Sequence, residues 1–308
     1  MYATGAPTSL ADFLNSLATF ATSAGWTVDH NAVYTSGDYW LAVHKNACYL
    51  DYFVPTTNDR IQLYGATGYS GASAYNAQAG TSPSYSLMMP APAGPFTAYH
   101  FFSTNTGGID YLHALLEYSS GNFLHIHGGC LSPVGGLSNL IYTAGTHWSG
   151  LAGGLSSSDG GPGGASNWTP FTAENPAGAG QWCFQLLATI DSVTRWFYPG
   201  AASPARAIGA IRSGSRNVHA FARIPNTFNQ LAPLIPLSLY LERAAGNIYS
   251  YVGDVIDMRF FNIANNAAKD EITIGADTWK VFPVISKQPF GSPTAATGNN
   301  AFAFRKNA

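Results

Sequence analysis

Apolar residues in "TSLADFLNSLATFATSAGWTV" fall at Leu10, Phe13, Leu14, Leu17 and Phe20, the spacing of one stripe along a helix. Thr8 or Ser9 supplies the N-cap, and Gly25 supplies the stop. From Thr27 onward the pattern changes to short runs rich in Tyr, Trp and Val: "WTVDHN", "DYWLAVHK" and "ACYLDYFV", broken by turn residues such as Ser36-Gly37. This predicts a helix followed by a strand meander.

A further strand begins at Ile61. The chain then becomes rich in Gly, Ala and Ser up to about Phe96, which reads as a long surface excursion. "TAYHFFSTNTGGIDYLHALLEYSSGNFLHIHGGCL" predicts three consecutive strands, with "NTGG" and "SSGN" as hairpin punctuation. Strand-like runs follow in "QWCFQLLATI", "TRWFYPG" and "LAPLIPLSLYLERAAGNIYSYVGDVIDMRFFN", whereas "AIRSGSRNVHAFARIPN" is ambiguous. "EITIGADTWKVFPVISK" alternates on both sides of Gly275-Ala276-Asp277, the pattern of a hairpin whose arms each bury one face.

The expected fold is α+β, predominantly antiparallel β in sandwich- or barrel-like sheets, with an N-terminal amphipathic helix. The Gly/Ser-dense stretch from Gly150 to Pro176 suggests three regions. These are a helix plus β meander over 1–149, a Gly-rich loop and variable middle over 150–230, and C-terminal β hairpins over 231–308. The hairpins pack on the rest, and one integrated domain is the alternative.

Composition changes the picture in one respect. The 308 residues are 46% hydrophobic but only 10% charged, against roughly 25% charged in ordinary soluble domains. A surface built from Ser, Thr, Asn, Gly and Tyr costs little to desolvate against neighbours, which suits an assembly and equally a β-rich lectin or glycosidase. The formal net charge of -2, with no basic run longer than Arg305-Lys306, offers no footprint for nucleic acid. No run of eighteen apolar residues predicts a membrane span, and the first residues lack a basic segment followed by an apolar one, so synthesis in a cytoplasm without export is expected. Three cysteines, Cys48, Cys130 and Cys183, are too few and too scattered for a disulfide framework and read as free thiols.

Candidate chemistry centres on "NFLHIHGGC". His125 and His127 share one face of a strand, and Cys130 joins them as a metal-ligand set if Gly128-Gly129 turns the chain back. The plainer alternative makes the imidazoles hydrogen-bonded pins of the strand end and Cys130 a small buried filler. No CxxC or HExxH supplies a second half-site. A thiol protease can be drawn around Cys130 only on paper. Glycosidase chemistry needs two carboxylates about 5 to 10 Å apart, and of Glu117, Glu174, Glu242 and Glu271 only Glu117 stands near the histidines. A satisfied buried network is its structural alternative. Trp148, Trp168, Trp182 and Trp196 could stack on sugar rings or pack in a core or interface. "GATGYSG" and "GGPGG" lack the lysine and helix of a phosphate loop.

Three segments carry a family resemblance: "LADFLNSLATFATSAGWTVD"; "YHFFSTNTGGIDYLHALLEYSSGNFLHIHGGCLSPVGG" with "YTAGTHWS"; and "GDVIDMRFFNIANNAAKDEITIGADTWKVFPVISK" with "AFAFRK". In this order they resemble virion structural proteins of tailed bacteriophages, of the tail, minor tail or baseplate-associated kind. The resemblance covers about half the chain and leaves 142–225 unmatched. It implies a non-enzymatic subunit located in the virion, without cofactor. Its partners would be copies of itself and other tail proteins. Strand edges and loops that add to neighbours would give ring or trimer symmetry, and the tryptophans with Glu117 make a glycan-binding or glycan-cleaving role in host recognition the rival.

Overall fold

The computed structural model describes residues 1–35, 37–57, 60–71, 74–88, 94–104, 109–135, 137–138, 140–148, 167–168, 170–171, 184–190, 192–198, 206–208, 231–242, 249–287 and 300–307. The helix α1 spans Leu10–Ser23 and starts where the sequence puts it, with Ser9 Oγ accepting the Asp12 amide at 3.1 Å. All five stripe residues are buried, and Gly25 follows the last turn at φ 79°. Glycine is needed there because a side chain at that φ is strained.

The central sheet has seven antiparallel strands in the order β1 (Tyr2–Gly5), β7 (Ala98–Ser103), β8 (Tyr111–Ser119), β9 (Asn122–Cys130), β11 (Ile141–Gly145), β14 (Phe184–Ile190) and β15 (Val193–Phe197). A five-stranded sheet runs β2 (Thr27–Val33), β3 (Tyr39–Lys45), β4 (Cys48–Val54), β5 (Ile61–Ala66), β6 (Ser86–Met88). The third sheet orders β16 (Arg206–Ile208), β17 (Ile235–Glu242), β18 (Tyr249–Asn262), β21 (Asn300–Arg305), β20 (Asp277–Pro283) and β19 (Glu271–Ile274), with β10 (Ser132–Pro133) also paired to β18. A short ribbon joins β12 (His147–Trp148) to β13 (Asn167–Trp168). Among the described residues the fold is therefore mostly antiparallel β with one helix, as expected from the sequence.

Strand parity turns these sheets into three layers. One face of the central sheet, carrying Phe102, Tyr111, Leu115, Phe123, Tyr142 and Phe184, packs on Leu237, Leu239, Phe260, Phe282, Phe302 and Phe304 of the third sheet. The other face, with Phe101, Leu112, Leu124 and Ile126, packs on α1 and on Leu41, Val43, Leu50 and Leu63 of the five-stranded sheet. A sheet buried on both faces must be apolar on both, which explains why β8 and β9 read as nearly continuous buried runs. The layers are also pinned by polar contacts: Tyr111 O–H donates to Asp257 Oδ2 at 2.8 Å, and Arg305 holds the same carboxylate at 2.7 Å.

The C-terminal hairpin forms as expected, pairing Ile274 with Asp277 across Gly275-Ala276, but only its second arm buries a face: β19 is mostly exposed, with Ile274 in solvent. The central sheet draws β9, β11 and β14 from both sides of the Gly-rich stretch. "NTGG" and "AAGN" lie outside the described residues, as does most of the stretch itself.

Candidate functional site

The expected turn at Gly128-Gly129 is not formed. β9 runs straight through both glycines to Cys130, pairing Gly128 with Leu112 and Gly129 with Tyr111 on one side, and Cys130 with Ile141 on the other. On an unbroken strand, residues two apart share a face and residues three apart do not. His125 and His127 therefore point into the core against the third sheet, while Cys130 faces the five-stranded layer, where it packs beside the Cys48 cluster. The proposed ligand set of His125, His127 and Cys130 is not brought together, and among the described residues no group of three or more His, Cys, Asp or Glu could hold a metal ion.

The pair does acquire a third imidazole. His113 lies directly opposite His127, in a row that crosses six strands as Tyr2, Phe102, His113, His127, Ala144 and Phe184. Ring centroids of His113 and His127 are 5.0 Å apart, and those of His125 and His127 are 5.4 Å apart. Phe302 and Phe304 of the third sheet close over them. All three histidines are fully buried, and burial lowers their basicity: His113 falls to about 3, His125 to about 4, and His127 well below the ordinary value. At neutral pH the rings are neutral. His125 Nε2 then carries the proton that it donates to the Pro283 carbonyl at 3.0 Å. Neither nitrogen of His127 meets a hydrogen-bond partner among the described residues. The role foreseen for the pair, pinning by hydrogen bonds, is thus met by His125 and not by His127.

A second buried group lies on the same face of β8, four residues beyond His113. Glu117 is fully buried, accepts the Gly121 amide at 2.9 Å and takes both oxygens to Lys269 Nζ at 3.1 Å. His100 Nε2 stands 3.8 Å from Glu117, and His100 Nδ1 lies 2.9 Å from the Tyr2 hydroxyl. Burial lowers the His100 pKa to about 4, overriding the nearby carboxylate. Glu117 is thus a bound strut between the central sheet and the segment that precedes β19. Sequence reasoning missed His100 and Lys269 as neighbours of Glu117, and His113 as the partner of His127.

The outer face of the five-stranded sheet holds a further buried acid. Asp51, almost fully buried, accepts the Trp40 indole N–H at 3.0 Å, and burial raises its carboxyl to about 7. Around it stand His30, stacked on Trp40 at 4.2 Å, and the rings of Tyr34, Tyr69 and Tyr75. Asp29 pairs with His44 at 2.6 Å beside Tyr49. Of the four tryptophans named above, Trp196 packs over Gly65 and donates to the Gly80 carbonyl at 2.9 Å. Trp182 and the side chains of Trp148 and Trp168 lie outside what is described. No protein-family model matches the chain, and no curated protein matches it.

Proposed function

We propose that the chain is a non-enzymatic structural subunit of a tailed-bacteriophage virion, at the tail tip or baseplate, which works by packing against copies of itself and neighbouring tail proteins. The observation that carries this reading is the character of the sheet ends. Among the described residues β2, β15 and β19 each end a sheet, and each leaves a large apolar residue in solvent: Val33 is 62% exposed, Val193 53% and Ile274 53%. Free strand edges with apolar residues are a hazard for a solitary protein, and a ready surface for main-chain pairing in an assembly. The sparse surface charge points the same way, as does the packing of the histidines inside the core.

Light scattering on the purified chain is expected to give oligomers that Val33→Lys and Ile274→Lys weaken, and mass spectrometry of intact particles is expected to find the subunit. A well-behaved monomer absent from virions contradicts the reading.

Glycan contact is the second reading, favoured by the part-exposed rings of Tyr34, Tyr49 and Tyr69 beside Asp29 and Asp51. A glycan array with wild type, Tyr69→Ala and Asp51→Asn tests it, and unchanged Glu117→Gln behaviour separates it from cleavage at Glu117.

A further inference from the structure

Three contacts bring the tip of the β3–β4 hairpin onto the end of β9. Asn46 Nδ2 donates to Asp110 Oδ2 at 2.7 Å, Lys45 Nζ lies 3.3 Å from Asp110 Oδ1, and the Asp110 carbonyl accepts the Cys130 amide at 2.7 Å. Just inside this anchor the two strands cross face to face. Leu50 presses against Gly128 so closely that a Cβ there would come within 2.7 Å of it. Two residues back on β4 is Cys48 and two residues on along β9 is Cys130, so strand parity aims both thiols into the same gap. Cys130 packs against the buried cluster to which Cys48 belongs, and both are free thiols.

We propose that Cys48 and Cys130 form a reversible disulfide that staples the five-stranded layer to the central sheet, made by exchange with a small-molecule disulfide of the glutathione class. Cys130 is partly exposed and Cys48 fully buried, so Cys130 attacks first. Burial pushes the Cys48 thiol up, which keeps Cys48 protonated until it is called on to attack. The Cys130 thiolate attacks one sulfur of glutathione disulfide, forming a mixed disulfide and releasing one glutathione thiolate. Cys48 then loses its proton and attacks Cys130 Sγ, forming the Cys48–Cys130 bond and releasing the second glutathione thiolate. The two protein thiol protons end on the two glutathiones, and the protein pair gives up two electrons to the disulfide that is reduced.

The test uses the full chain with Cys183→Ser, alongside wild type, incubated with oxidised glutathione or with dithiothreitol, then alkylated and mapped by mass spectrometry. The expected product carries a Cys48–Cys130 cross-linked peptide formed within one chain, with no covalent dimer. It should melt on the order of 5 °C above the reduced chain, because the bond closes a long loop in the unfolded state, and dithiothreitol should reverse the shift. Cys130→Ser should abolish both peptide and shift; if that variant does not fold, the paired oxidised and reduced samples of Cys183→Ser decide alone. A lasting glutathione adduct on Cys130 with Cys48 still free overturns the proposal. So does a cross-link found only in covalent dimers, or an intramolecular bond that leaves the melting temperature unchanged or lower.

Discussion

Four buried imidazoles, His100, His113, His125 and His127, set how stability responds to acid. Folded values of about 3 for His113 and about 4 for His100 and His125 stand against roughly 6.5 in an unfolded chain. Between those values the unfolded state binds protons that the native state refuses. Each contribution is therefore complete above the unfolded value and is lost as pH falls towards the folded one, by on the order of 1 kcal/mol per pH unit for each ring. Asp51 acts in the opposite sense. Its carboxyl, raised to about 7, contributes stability that is complete below the unfolded carboxylate value and lost as pH rises through 7. With four groups against one, urea midpoints are expected to fall steadily from pH 7 to pH 4.5, and a midpoint that rises on acidification contradicts the assignment. Among the described residues His127 makes no hydrogen bond that an apolar residue would forfeit, so His127→Leu is expected to be neutral or stabilising at pH 7 and to flatten the acid limb in the same titration. Glu117 is the contrary case. Lys269→Met strips its cation and should cost roughly 2 kcal/mol in chemical denaturation, with Glu117→Gln in the same chain restoring part of it.

At the scale of elements, the helix stripe from Leu10 to Phe20 and the hairpin around Gly275 were legible because one periodicity and one turn settle each of them. The histidine cluster was not. Counting back from the tight turn that pairs Ser119 with Asn122 would set His113 opposite Gly128. A bulge at Tyr118 shifts the register by one residue and sets it opposite His127 instead. Nothing in "LEYSSGNF" announces that extra residue. The separation of Cys130 from the histidines was readable from parity alone, provided the strand continued; the two glycines suggested a turn, whereas they serve close approach. Gly128 lets Leu50 of the next layer reach the backbone of β9. Gly128→Val should cost about 1–3 kcal/mol by overpacking, measured by thermal melting, and Leu50→Ala in the same chain should recover part of the loss.

The whole molecule has a gradient of enclosure. Its outer sheets each keep a face turned outward, with the clusters around Trp40 and around Trp279 as smaller secondary cores, while β8 and β9 of the central sheet have neither face free. Stacking of three layers was beyond what alternation can say, because a strand apolar on both sides fits any interior. Within the central sheet β8 and β9 also have a strand on either side. Solvent reaches their amides only when at least one whole layer lifts away. In deuterium-labelling measurements their backbone protons should accordingly be the last to be replaced, long after those of β2 and β19, and should depart together as a single cooperative unit, so that the interior of this chain keeps time by the opening of its coverings.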